Sequence, residues 1–234
     1  MLLAASLLAG MGLAARAETA APRCVVELFT SQGCSSCPPA DKLAAELARD
    51  PRNIVVSFNV DYWDYIGWKD TLASPAFTAR QNAYASARGD GHVYTPQAVI
   101  DGLSHAVGSD RGEIETGVAV GAKHGALSVP VKLSGQGGAL RVEVGDGAGS
   151  AGLWLIRIAH QKTVAIGRGE NSGHTVTYTN VARAMVKLGD WSGKAQSFEV
   201  PLSQTQGADS DGYVVILQGG SPGSPGVILG AAKG

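Results

Sequence analysis

Two cysteines three residues apart, Cys34-Ser35-Ser36-Cys37, stand where an apolar strand run gives way to a helix. That placement constrains this 234-residue chain more than any other feature. Val25–Thr30 reads as a strand and Ser31–Gly33 as a tight turn. A helix follows over about Ser35–Arg49, with Ala40, Leu43, Ala44 and Leu47 on one face. Asp50-Pro51 stops it, because the residue before a proline is pushed out of the helical region. Pro38 and Pro39 are tolerated in the first turn, whose N–H groups have no helical partner.

A dithiol at a helix start has a physical advantage. The thiolate is the nucleophile, and the free N–H groups and dipole of the helix terminus favour negative charge there. The effect is small, about 0.3–1 kcal/mol and at most ~2, which brings a thiol from ~8.5 to ~7–8. Cys34, expected to be exposed, is the attacking sulfur, and Cys37 resolves the mixed disulfide. Three readings of the pair stay open: redox work, a structural disulfide, or half of a metal site. The last needs further ligands. His92 is the nearest histidine, and His105, His124, His160 and His174 are scattered without ligand spacing. No metal or cofactor is therefore assigned. Cys24 is left over and reads as a passive residue at the strand's start.

The first half continues in a regular order. Ile54–Val60 is a β-branched, buried strand. Ser74 caps a helix with Pro75 at its first position and Gly89 at its end. Gln97–Ile100 and Ser104–Val107 flank Asp101-Gly102 as a hairpin. Asp110, with Glu113 three residues on, opens a last helix that Gly125 ends. The order is β-α-β-α-β-β-α, with Thr95-Pro96 just before the third strand. Together with the dithiol this implies an α/β thioredoxin-like domain over 18–125, in which the proline's loop faces the sulfurs. A cis Thr95–Pro96 bond would aim the backbone of Thr95 at the dithiol, where an extended client could pair with it. An ordinary trans proline at a strand's start is the alternative.

From Leu127 onward, seven short strand-like runs alternate with turns: 127–133, 140–144, 153–159, 175–178, 197–200, 213–217 and 227–229. Val181–Leu188 fits either a strand or a short helix. These runs suggest a smaller, separate all-β sandwich-like domain over 126–234.

The first fifteen residues are apolar, small and uncharged, and lead into Ala15-Arg16-Ala17, a cleavage site of the signal-peptide kind. Residues 1–17 are therefore expected to be removed, leaving a periplasmic or secreted protein with no stable membrane insertion. A formal net charge of -1 excludes a dedicated nucleic-acid footprint.

Two further features accompany the dithiol. Glu27 is a carboxylate in a central strand, either a proton relay for Cys37 or a surface residue if that strand is poorly covered. Asp61-Tyr62-Trp63-Asp64-Tyr65-Ile66-Gly67-Trp68-Lys69-Asp70 places four aromatics among three acids. It follows the second strand's carboxyl end, where α/β sites usually lie. Asp61, Tyr62, Trp63 and Trp68, with Gln97 after the proline, are the candidate substrate-binding residues; packing of the insertion onto the sheet is the alternative.

Val26–Asp41, Val60–Asp64, Gly67–Asp70, Arg80-Gln81, Tyr94–Gln97 and Gly167–Asn171 resemble a family of secreted bacterial thioredoxin-like proteins classed as a domain of unknown function. The resemblance covers nearly the whole mature chain and implies the fold and export. The first strand and dithiol are also similar to glutaredoxins, but Gly33 and Ser35-Ser36 depart from the usual residues, so glutathione binding is not carried over. The resemblance supplies no reaction. The site residues imply an exported thiol–disulfide oxidoreductase with Cys34, Cys37, Thr95, Pro96 and Glu27 at its centre. Its partners would be client protein thiols or disulfides and a redox partner that recycles it. Cu(I) handling, or a binding module with a structural disulfide, are the competing readings.

Overall fold

The structure, a computed structural model, describes residues 21–136 and 138–234, so the expected signal peptide lies outside it. The elements run β1 (Cys24–Thr30), α1 (Pro38–Leu47), β2 (Asn53–Asn59), α2 (Pro75–Arg88), β3 (Gln97–Ile100), β4 (Ser104–Val107) and α3 (Arg111–Lys123). There follow β5 (Val131–Gln136), β6 (Ala139–Val144), β7 (Ala151–Ala165), β8 (Thr175–Trp191), β9 (Gln196–Pro201), α4 (Leu202–Thr205), β10 (Gly212–Ser221) and β11 (Ser224–Lys233). The protein is thus an α/β structure with a large central sheet and a smaller antiparallel one.

β1 pairs parallel with β2 and antiparallel with β3, which turns through Asp101-Gly102 into β4. Alternation along β1 sorts its side chains between two layers. Val26 and Leu28 pack with Ala40, Leu43 and Leu47 of α1 and Ile114 and Val118 of α3. Val25 and Phe29 pack on the opposite face, with Phe77 and Tyr84 of α2. The helix signals read from the sequence hold locally. Ser74 Oγ accepts from Ala76 N, Asp110 accepts from Glu113 N, and Gly89 ends α2 at φ 75°.

The second half differs from a self-contained sandwich. The central sheet has eight strands in the order β11-β10-β7-β8-β2-β1-β3-β4, so strands from both halves share one sheet. β8 joins β2 at Ser57↔Val181. Ser57 Oγ donates to Thr179 O (2.8 Å) and Asn180 Nδ2 to Val55 O (2.9 Å). β2 would otherwise end the sheet, and β8 covers the middle of that edge. Only β5, β6 and β9 form the second sheet, whose Leu140, Val142 and Val144 pack on Leu153 and Leu155 of β7 and Val215 and Leu217 of β10. The ambiguous Val181–Leu188 is strand, the middle of β8. Among the described residues, no helix is long and apolar enough to cross a membrane.

Two features carry the second half to the dithiol end of the sheet. β7 and β8 form a hairpin paired as far as Ala165↔Thr175. Its tip is held by a small cluster of Leu72, Ile166, Val176, Tyr178 and Val181, against which Trp68 packs. The aromatic-acidic insertion after β2 therefore meets the hairpin directly.

Candidate functional site

β1 ends at Thr30, and the chain turns sharply before α1. Cys34 N donates to Ser31 O (3.2 Å), and Gly33 N to Ser31 Oγ (3.1 Å). Gly33 is required here: a Cβ would lie 3.0 Å from both Trp63 Cβ and Ile66 Cδ1. Cys37 is the N-cap of α1 and accepts from Ala40 N and Asp41 N. Cys34 and Cys37 form a disulfide across this turn, with Cα atoms 5.4 Å apart.

The Thr95–Pro96 bond is cis. Ser36 Oγ bridges the elements, 3.4 Å from Cys34 Sγ and 3.5 Å from Thr95 O, to which it donates. Trp63 Nε1 donates to Thr95 Oγ1 at 2.7 Å. Gly108, which donates to Pro96 O, lets this loop approach α1. A Cβ there would lie 2.6 Å from Leu28 Cδ1, 3.1 Å from Pro96 Cβ and 3.2 Å from Ala40 Cβ. The structure thus gathers Cys34, Cys37, Thr95, Pro96, Trp63 and, through Gln32, Trp68. Gln32 Oε1 accepts from Trp68 Nε1 (2.8 Å), and Gln32 N donates to Asp70 Oδ2 (2.8 Å). Tyr62 is half-buried beside Trp63, its hydroxyl raised by burial.

Three expectations need correction. Cys34 is 0% exposed, as is Cys37; Ser35 and Ser36 are the exposed residues of the turn. Glu27 lies on the α2 face of the sheet, opposite α1, because it shares parity with Val25 and Phe29. Its carboxylate is bound by Arg80 Nε (2.7 Å), by Arg80 Nη2 (3.0 Å) and by the Tyr84 hydroxyl, so it is no proton relay for Cys37. Gln97 is fully buried with both ends of its amide engaged, accepting from Gln81 Nε2 (2.8 Å) and donating to His92 O (3.1 Å). Asp61 accepts from the Thr78 hydroxyl and so ties the insertion to the first turn of α2. Gln97 is thus spent on the frame, and Asp61, which is partly exposed, has a framing bond of its own.

The buried carboxyl nearest the dithiol in the chain is one the sequence did not single out. Asp41 sits one helical turn after Cys37, its N–H bonded to Cys37 O at 3.0 Å. It is 2% exposed; Thr30 Oγ1 donates to Oδ1 (2.8 Å), while Oδ2 has no partner among the described residues. Burial pushes its pKa up to about 8, opposed by the Thr30 hydrogen bond and assisted by the charge of Asp70. Asp70 is itself raised by burial, although Gln32 N, Asn59 Nδ2 and Leu72 N all donate to it. A cleft of about 390 Å³ lined by Asp41, Lys42 and His174 separates α1 from the hairpin. Cys24, by contrast, is inert: burial pushes its thiol up to about 12, and its Sγ donates to Asn53 Oδ1.

Two segments from elsewhere bear on metal and access. Asp90, His92 and His105 place potential ligand atoms within 4.8 Å of one another. The guanidinium of Arg88 already occupies both oxygens of Asp90, Nε to Oδ2 at 2.8 Å and Nη2 to Oδ1 at 3.2 Å, which opposes a cation there. The second segment is the tip of the β7–β8 hairpin. Asn171 Nδ2 donates to Gln32 O and to Cys34 O, both at 2.9 Å, and Glu170 Oε2 accepts from Ser35 N (3.2 Å). Its only trace in the sequence was the Gly167–Asn171 motif, which pointed to no role.

The sequence matches the family described as "Protein of unknown function (DUF1223)" over residues 25–218. The chain belongs to that family. The matched span begins inside β1, includes the dithiol and the hairpin tip, and ends in β10, so both halves fall within the family's domain. A crystal structure of protein AGR_C_4864 from Agrobacterium tumefaciens is similar, with 34% identity and a TM-score of 0.82 over 91% of this chain and 94% of that one. HBP35 of Porphyromonas gingivalis shares the fold at 13% identity and a TM-score of 0.57, over 92% of this chain and 75% of that one. No curated protein matches.

Proposed function

We propose that this chain is an exported thiol–disulfide oxidoreductase built on a thioredoxin-like arrangement, acting on protein or small-thiol clients. The observation that carries the reading is the Cys34–Cys37 disulfide at the start of α1, facing the Thr95–Pro96 loop. A client thiolate attacks Cys34 Sγ, the new S–S bond forms as the Cys34–Cys37 bond breaks, and the electron pair leaves on Cys37 Sγ. The Cys37 thiolate then takes a proton from Asp41, whose carboxyl is raised to about 8, holds a proton near neutrality and stands one helical turn on. A second client thiolate then attacks the mixed disulfide, releasing Cys34 as thiolate and the oxidised client. The reverse sequence oxidises the protein. Export follows the expected leader, and no metal or cofactor enters the scheme.

A second reading has one observation in its favour. Both cysteines are fully buried, as a staple's would be, which leaves the Trp63 surface to bind a partner. The reduction potential of the mature protein separates the two. A value near or above the poise of an oxidising envelope supports exchange, and one far below it supports the staple. Cys37→Ser should also trap a reducible conjugate on Cys34, while Cys34→Ser traps none; failure to recover any conjugate would count against exchange.

A further inference from the structure

The loop between β7 and β8 is built to a fixed shape before it touches anything else. Ile166 N donates to His174 O, Gly173 N to Ile166 O, and His174 N to Asn171 O. Ser172 closes the turn, its N–H on Gly169 O and its hydroxyl on Gly167 O. Two glycines let this shape seat on the insertion. A Cβ at Gly167 would lie 3.2 Å from Trp68 Cζ3, and one at Gly169, where φ is +77°, 3.2 Å from Ile66 Cδ1.

Once seated, the loop presents two side chains to the disulfide turn. Asn171 is 4% exposed, and its carboxamide nitrogen spends both hydrogens on carbonyls of the turn, Gln32 O and Cys34 O. Glu170 takes the exposed N–H of Ser35. The turn belongs to the first half of the chain and these residues to the second: Asn171 lies 137 positions after Cys34, and Glu170 lies 135 after Ser35. In-line attack on a disulfide needs an open approach to the sulfur, and Cys34 offers none at 0% exposure.

We propose that residues 167–172 form a gate over the Cys34–Cys37 disulfide, held shut by Asn171 and Glu170, and that thiols reach Cys34 only when this gate lifts. Asn171 is thus a positioning residue that controls access. In biological purpose the proposal rests on the exchange reading above; as a statement about access it stands alone. Lifting the gate frees two carbonyls and one N–H of the turn. It leaves the disulfide in place, and residues 167–172 contribute nothing to the apolar cluster in which α1 is buried.

The test is the rate at which dithiothreitol reduces the disulfide in the full mature chain, followed by quenching with an alkylating agent and mass measurement. One dithiothreitol thiolate forms a mixed disulfide with Cys34 while Cys37 leaves and is protonated. Its second thiol then releases Cys34 and closes the reagent's own ring. In the unmodified protein the rate should level off at high dithiothreitol, where opening of the gate limits it. In Asn171→Ala it should rise at least tenfold, on the scale of one or two net hydrogen bonds, and in Glu170→Gln about threefold, with the thermal midpoint of unfolding little changed. A rate proportional to dithiothreitol throughout and equal in all three proteins would overturn the gate. If Asn171→Ala does not fold, the levelling-off in the unmodified protein and the Glu170→Gln rate still decide. A gated disulfide whose potential lies far below the envelope's poise would uphold the gate and sink the exchange reading. An ungated one in the exchange range would do the opposite.

Discussion

Replacing Asp41 with asparagine probes the carboxyl beside the dithiol without changing its shape. Asp41 is 2% exposed, accepts one hydrogen bond from Thr30, and is pushed up to about 8 by burial. In the unfolded chain an aspartate titrates near ~3.9. Between those two values the folded protein holds a proton that the unfolded chain has lost. Unfolding free energy therefore falls as pH rises from about 4 to about 8, and this contribution is flat outside that window. At pH 7 the window has been crossed by about three units, which at 1.36 kcal/mol each sets a ceiling of ~4 kcal/mol. Asparagine is the uncharged counterpart of the protonated acid, so Asp41→Asn should be nearly neutral at pH 4 and stabilising by up to ~4 kcal/mol at pH 7. Other groups shift in the same pH range: Asp101 is raised to about 6 by burial, and Asp70 is raised as well. The Asp101 contribution is common to both proteins and cancels in the comparison, while Asp70 loses a charged neighbour only above pH 8. Tyr178, raised by burial and by these acids, titrates above the window. Urea unfolding of the oxidised protein and the variant at pH 4.5 and 7.5 measures the difference. Identical pH slopes in the two proteins would refute a raised Asp41, and with it the proton source assigned to Cys37.

Three further outcomes follow from other parts of the fold. Arg80→Ala leaves Glu27 buried without its partner and should cost about 3–5 kcal/mol in urea unfolding, while leaving the reduction potential of the dithiol on the opposite face unchanged. Gly108→Ala forces a methyl against Leu28 and Pro96 and should cost about 1–3 kcal/mol, read as a lowered thermal midpoint. Iodoacetamide near neutral pH should leave Cys24 unmodified in the reduced folded protein and label it once urea unfolds the chain, because its thiol is pushed up to about 12.

What the sequence made legible was local. Ser74, Gly89 and Asp110 cap their helices through atoms within a few residues, and the strand-turn-helix around the dithiol has the same character. Alternation sets Glu27 opposite Val26 and Leu28, but which pair faces α1 is settled only by the packing. The partners of Glu27 were not readable, because Arg80 and Tyr84 reach it from 53 and 57 residues away. The second half failed for the same reason. Short runs such as 175–178 were visible as strands, but their continuation into a seventeen-residue β8 depends on pairing with β7 along its length and with β2 at Ser57↔Val181. Burial of Cys34 was invisible because the residues bonded to its turn, Asn171 and Glu170, are polar and distant in the chain. Polar residues on a hairpin tip ordinarily mark a solvated turn.

Sharing one sheet between the two halves also imposes an order in time. A ribosome delivers β2 well before its neighbour: the Ser57 hydroxyl waits for a carbonyl 122 residues further on. Throughout that interval the growing chain carries a naked strand edge, the state in which nascent β-structure most readily pairs with the wrong partner. If the hairpin tip gates the turn as proposed, the same delay leaves both sulfurs open to oxidants, since Asn171 is made 137 residues after Cys34. A bond that is enclosed in the finished molecule is therefore accessible while the molecule is being made.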